Sequence, residues 1–138
     1  MMNSMFSNCL SLISLHLSNF NTSQVKLSYY MFYDFSSLTS LNLSNFNTSQ
    51  LTKIQNMFYG CINLEYIHLQ NFDDSKLLNG YYDDIFEKVP NNIVVCINVN
   101  NDENKIYSQI KDKICHSIDC SNNWKLSQKK IINGVSKC

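Results

Sequence analysis

MFSNCLSLISLHLSNFNTSQ occupies residues 5–24, and SLTSLNLSNFNTSQ at residues 37–50 writes its second half again almost letter for letter. How that repetition is read decides the fold. Met5-Phe6, Met31-Phe32 and Met57-Phe58 mark the period, since 31 − 5 and 57 − 31 both give 26 residues. The apolar positions keep the same spacing. Leu12, Leu38 and Leu64 align, as do Leu15, Leu41 and Ile67, then Leu17, Leu43 and Leu69, then Phe20, Phe46 and Phe72. A polar run recurs as well, as Asn21-Thr22-Ser23, Asn47-Thr48-Ser49 and Asp73-Asp74-Ser75.

A fixed period in the twenties with Leu-x-x-Leu-x-Leu at its centre predicts an α/β leucine-rich repeat solenoid over residues 1–100. Leu15-His16-Leu17 alternates apolar and polar, which predicts a short strand with the leucines inward. Stacked units would set such strands side by side in a parallel sheet. Leu51, Ile54, Met57, Phe58 and Cys61 recur at steps of three and four, which predicts a short helix or helical turn on the outer arc. Phe20, Phe46 and Phe72 are expected to form an aromatic column, and the Asn/Thr/Ser run suits a turn closed by its own side chains. After Phe72 the rhythm slips: Ile85-Phe86 arrives two residues late, and VPNNIVVCINVN reads as a last, degenerate coil. Residues 101–138 are expected to form a small Cys-containing cap. Ile106, Ile110 and Ile114 there mark an amphipathic helix, and a second short helix is expected between Ser121 or Asn122 and Gly134.

Composition narrows the function classes. Eleven basic and eleven acidic residues give a formal net charge of zero in 138 residues, and charged residues are only 16% of the chain. Such a chain has no field to steer it to nucleic acid or an anionic membrane. No stretch approaches the roughly 18 apolar residues of a membrane span. No basic start followed by an apolar run marks a leader peptide. The text opens inside a repeat unit, so the chain is expected to be a piece of a longer product whose leader and further units lie upstream.

Units reading MFSNCLSLISLHLSNFNTS and MFYGCINLEYIHLQNFDDS resemble the BspA-like leucine-rich repeats, over residues 5–77. Phe35 in place of the repeat Cys and Asp73-Asp74 in place of Asn-Thr depart from that pattern. The resemblance implies a surface-exposed, extracellular, non-catalytic protein used in adhesion or binding. It also likens the tail, with Trp124 and its cysteines, to Cys-rich segments that follow such repeats.

Candidate sites follow from the strand pattern. The outward positions are Ser14, His16 and Ser18; Ser40, Asn42 and Ser44; Tyr66, His68 and Gln70. This file is polar and nearly uncharged, suited to hydrogen bonding with a protein or glycan and equally to plain solvation. His16 and His68 share a column but lie two units apart, too far to share a zinc ion. The same distance keeps Cys9 and Cys61 from pairing, and both read as small buried apolar residues. Cys96, Cys115, Cys120 and Cys138 crowd the last third, as two disulfides would in an oxidising compartment. Cys96–Cys115 with Cys120–Cys138 is the favoured connectivity of three. Cys115-His116-x3-Cys120 lacks the paired spacing of a zinc site, so no metal or cofactor is expected. Asn21, Asn42 and Asn47 stand in glycosylation-acceptor patterns that so Asn- and Ser-rich a chain produces by chance. No phosphate-binding loop, carboxylate pair or nucleophile–base order points to an enzyme. The expectation is a surface-displayed binding module, with a passive spacer of a larger surface protein or an intracellular scaffold as alternatives.

Overall fold

The computed structural model describes residues 1–97, residues 105–110 and the backbone of residues 115–117. Four short strands form one open parallel sheet in chain order: β1 (Ser40–Asn42), β2 (Tyr66–Leu69), β3 (Val94–Ile97) and β4 (Cys115–Ser117). The helix α1 (Lys105–Ile110) lies between β3 and β4 in the chain. Leu41 pairs with Ile67, and Ile67 with Val95. The first step is the 26-residue period; the second is two residues longer, which absorbs the slip after Phe72.

The inward columns form the core. Leu41, Ile67 and Val95 are all buried, as are Leu43, Leu69 and Ile97. Each such leucine or isoleucine contributes about 1.5–3 kcal/mol through loss of contact with water. One unit could not hide these side chains alone; the neighbouring unit closes them off.

The outer arc differs from the expected short helix or helical turn, because its turns carry positive φ. Among the described residues, 1–97 contain no helical segment. Residues 54–61 are instead a chain of tight turns, in which Met57 N donates to Ile54 O, Tyr59 N to Asn56 O and Cys61 N to Phe58 O. Asn56 and Gly60 have positive φ at the third position of the first and last of these turns, as a type II turn demands. Tyr30 and Asp34 repeat this one unit earlier, and Asp84 and Lys88 one unit later. The alternate N–H groups point to the next unit rather than back along the chain. Phe6 N donates to Met31 O, Phe32 N to Met57 O and Phe58 N to Ile85 O, each within 2.9–3.0 Å. Bonds to a neighbouring unit thus replace the i→i−4 bonds a helix would need. The apolar steps of three and four are the same in both arrangements, because each turn sends one side chain inward.

The aromatic column also moves. Phe6, Phe32, Phe58 and Phe86 stack with centroid spacings of 5.6, 5.6 and 5.2 Å. Phe46 and Phe72 are buried but join no ring contact among the described residues, while Phe20 leans on Phe6 at 6.2 Å. The turns stack the Phe of each level on the next, so that column is continuous.

The expected strand at Leu15-His16-Leu17 does not form. Leu17 is buried and Leu15 half-buried, yet among the described residues no ladder bond joins residues 12–17 to β1. In this unit Leu10, Leu12 and Ile13 are exposed. The Asn-Thr-Ser run, in contrast, has a clear structural task. Asn47 Oδ1 accepts from Ser49 N, and Asp73 Oδ1 from Ser75 N, closing the turn. Thr22 Oγ1 then accepts from Asn47 N at 2.8 Å, and Thr48 Oγ1 from Asp73 N at 2.6 Å, bridging one unit to the next. Asp74 occupies the next place in that threonine column. Its Oδ2 accepts from Ile106 N at 3.0 Å, while Lys105 Nζ donates to Leu77 O at 2.7 Å. The Asp-for-Thr departure therefore marks where the stack hands over to α1. The second tail helix expected beyond Ser121 falls outside the described residues.

Candidate functional site

Strand pleating places Ser40 and Asn42 on the outward face of β1, with Tyr66 and His68 beside them on β2. Ser44 and Gln70 follow just past each strand. Asn42 and Gln70 are exposed, while Ser40, Ser44 and His68 are half-buried. Asn42 Oδ1 accepts from Ser44 N at 2.9 Å, so its amide nitrogen remains as the outward donor. His68 Nε2 hydrogen-bonds with Gln70 Oε1 at 3.3 Å. Asn71 Nδ2 donates to Ser44 O at 3.0 Å and ties the two units together at the end of the face.

Tyr66 stands apart from the rest of the expected file. It is 8% exposed, and burial pushes its phenol above the ordinary value of 10. The cause is visible along the register. Tyr66 pairs with Val94, and His68 with Cys96, and both β3 partners are buried. The face is open at β1, partly covered at β2 and closed at β3. Ser14, His16 and Ser18, all exposed, lie on no strand and do not extend it. What remains is a patch two strands wide, built from Ser40, Asn42, Ser44, His68 and Gln70. It offers hydroxyl, amide and imidazole donors and acceptors, with no Asp, Glu or Lys among them.

A second feature lies on the outer arc. Tyr33 and Tyr59 stack at 5.0 Å and 4°, with Lys88 Nζ 4.9 Å from the Tyr59 ring. Their 26-residue spacing was the available signal. The Tyr33 and Tyr59 rings cover each other and Lys88 lies over Tyr59, which makes this a packing feature. The hydrogen bond to Tyr59 holds the Lys88 ammonium above its usual pKa.

Cys9 and Cys61 are free thiols. Cys61 is buried, and desolvation pushes its thiol up to about 12, which leaves no thiolate for chemistry at neutral pH. Cys96 is disulfide-bonded. The pairings expected among Cys96, Cys115, Cys120 and Cys138 fall on side chains outside the described residues. Among the described residues no cluster of three His, Cys, Asp or Glu side chains is placed to hold a metal. No helix there is long and apolar enough to cross a membrane.

No curated protein and no solved structure matches this chain. Residues 1–92 match a family described as "Mycoplasma protein of unknown function, DUF285", a match that takes in every repeated column and the turn ladder through Val89. Two thirds of the 138 residues are covered, and the chain belongs to the DUF285 family.

Proposed function

We propose that the repeated region is a leucine-rich repeat solenoid of the BspA-like kind, and that the chain is a non-catalytic module displayed at a cell surface. Its role is to bind protein or glycan ligands through the open part of the sheet face, at Ser40, Asn42, Ser44, His68 and Gln70. DUF285 membership is compatible with this reading. The observation that carries it is the polar file without Asp, Glu or Lys on β1 and β2, held in place by the fully buried Leu41 and Ile67 behind it. A rigid sheet with small outward amides and hydroxyls recognises a partner by directional hydrogen bonds rather than by charge. The disulfide at Cys96 suits an oxidising, extracellular setting.

One observation favours the spacer alternative. Tyr66 is covered, and His68 Nε2 and Gln70 Oε1 are bonded to each other, which lowers the free hydrogen-bonding capacity of the face. A screen of the full chain against matrix proteins and glycans separates the two. Binding that is lost in the N42A/H68A/Q70A variant, with its thermal unfolding unchanged, supports the face. Silence of the intact chain across the screen leaves the spacer reading.

A further inference from the structure

Each unit is held to the next by packing and hydrogen bonds. Among residues 1–97 only Cys96 is disulfide-bonded, and Cys9 and Cys61 are free thiols. The outer arc nevertheless sets two oxidisable phenols face to face. Tyr33 and Tyr59 leave equivalent turns one unit apart, and their rings stack at 5.0 Å and 4°. Equivalent positions and parallel planes set each ring carbon opposite its counterpart, including the Cε carbons beside the hydroxyl. The other tyrosine pairs of the arc differ. Tyr29–Tyr30 and Tyr30–Tyr33 meet edge to face, at 88° and 70°. The stacked file is also bounded. The residues that follow the stacked phenylalanines are Ser7, Tyr33, Tyr59 and Glu87, so the file holds two phenols and no third. Lys88, from the unit after Tyr59, brings its Nζ to 4.9 Å from that ring. Both tyrosines are half-buried, which leaves them open to oxidation and limits ring-to-ring contact with a second molecule.

We propose that Tyr33 and Tyr59 form a modification site, at which oxidation couples them into a dityrosine that staples the second repeat unit to the third. The co-reactant is hydrogen peroxide, consumed by a haem peroxidase. The oxidised haem takes one electron from each phenol, and each phenol gives its hydroxyl proton to water. The two radicals join Cε to Cε in one new carbon–carbon bond. The hydrogen on each of those carbons then moves to its phenoxyl oxygen through water, which restores both aromatic rings and both hydroxyls. In sum, two hydrogen atoms leave the protein and one peroxide becomes two waters. Small rotations of the two side chains bring the stacked carbons together. Proximity selects the partner: a ring already in place reacts as if at very high concentration, so coupling within the chain outruns coupling between chains. The bond closes the loop from residue 33 to residue 59 and restricts the unfolded chain as a disulfide does. This inference stands independently of the ligand-binding proposal.

The test treats the dilute full chain with hydrogen peroxide and a haem peroxidase. The monomer fraction is expected to gain dityrosine fluorescence and to lose the mass of two hydrogens. Trypsin cuts after Lys26, Lys53 and Lys76, so the link should join peptide 27–53 to peptide 54–76. Y33F and Y59F keep the stacked ring and remove the phenol. Each is expected to abolish that joined pair, while Y30F and Y66F keep it. Unfolding the chain in urea before treatment should cut the yield of the pair by about tenfold or more. The linked chain is expected to unfold at a higher urea midpoint than treated Y33F, and an equal midpoint overturns the staple. Dityrosine confined to dimers and larger species, a monomer link that survives Y33F or Y59F, or an equal yield from the unfolded chain overturns the site. So does a folded chain that forms no dityrosine at all.

Discussion

The Thr48→Val substitution tests whether the recurring Asn-Thr-Ser run holds the units together. Thr48 is 2% exposed, and its hydroxyl receives the Asp73 N–H at 2.6 Å. Valine has nearly the same shape but no acceptor. The Asp73 N–H would then sit in the seam between units without a partner. Leaving a buried donor unsatisfied costs about 1–3 kcal/mol. That N–H is part-buried, so the expected loss is about 1–2 kcal/mol. Thr48→Ser keeps the oxygen and removes one methyl, worth about 0.8 kcal/mol. The predicted order of stability is therefore Thr, then Ser, then Val. Hydrophobicity alone predicts valine at or above threonine, so the ranking itself is diagnostic. Urea unfolding followed by circular dichroism reads it from the midpoints, provided the slope is unchanged between variants. A valine variant as stable as the parent would refute the bridge.

The remaining predictions concern the column, the turns and acid stability. Phe32→Ala, at a ring stacked on both sides, should cost about 3–5 kcal/mol, and Phe6→Ala, half-buried at the end of the column, about half of that or less; equal costs in urea melts would contradict an end-to-middle gradient. Gly60 has φ +74, and a Cβ there would meet Asp34 Oδ1. Gly60→Ala should therefore destabilise by more than the roughly 1–2 kcal/mol of left-handed strain, and more than Gly80→Ala, where the space is open; the excess should shrink in a D34A background. Asp73 is held below its ordinary 3.8 by hydrogen bonds from Ser75, so its folded pKa lies under its unfolded one. Its stabilising contribution is present above about pH 4 and is lost as pH falls through the folded value. Asp73→Asn, the residue type found at Asn21 and Asn47, should keep the turn and flatten the acid limb of a urea-midpoint profile; an unaltered acid limb would remove Asp73 as its source.

Much of the architecture is legible in the text because identical columns must meet when units lie side by side. Leu41, Ile67 and the shift of two residues before Val95 could all be placed by counting. The outer arc could not. Steps of three and four in apolar residues describe inward positions, and a helix and a run of alternating turns share them. The choice was made by backbone N–H groups that bond to the neighbouring unit, which is a contact between residues 25 or 27 apart and invisible to local periodicity. The candidate site was half legible for a related reason. Period-two alternation assigns Ser40, Asn42 and His68 to the outward face, but it cannot say what lies over that face. Tyr66 was therefore read as open, although its neighbours Val94 and Cys96 show the face closing toward β3.

Sequence by itself determined the period, the inward leucine columns and the register of β1 on β2, because each depends only on which residue types recur at 26. Tertiary structure alone decided that the first unit lacks its strand, that the arc is turned rather than helical, and that Asp74 passes the stack to α1. Each of those outcomes depends on whether a backbone group has a neighbour to bond with, and a neighbour exists only once the chain is stacked.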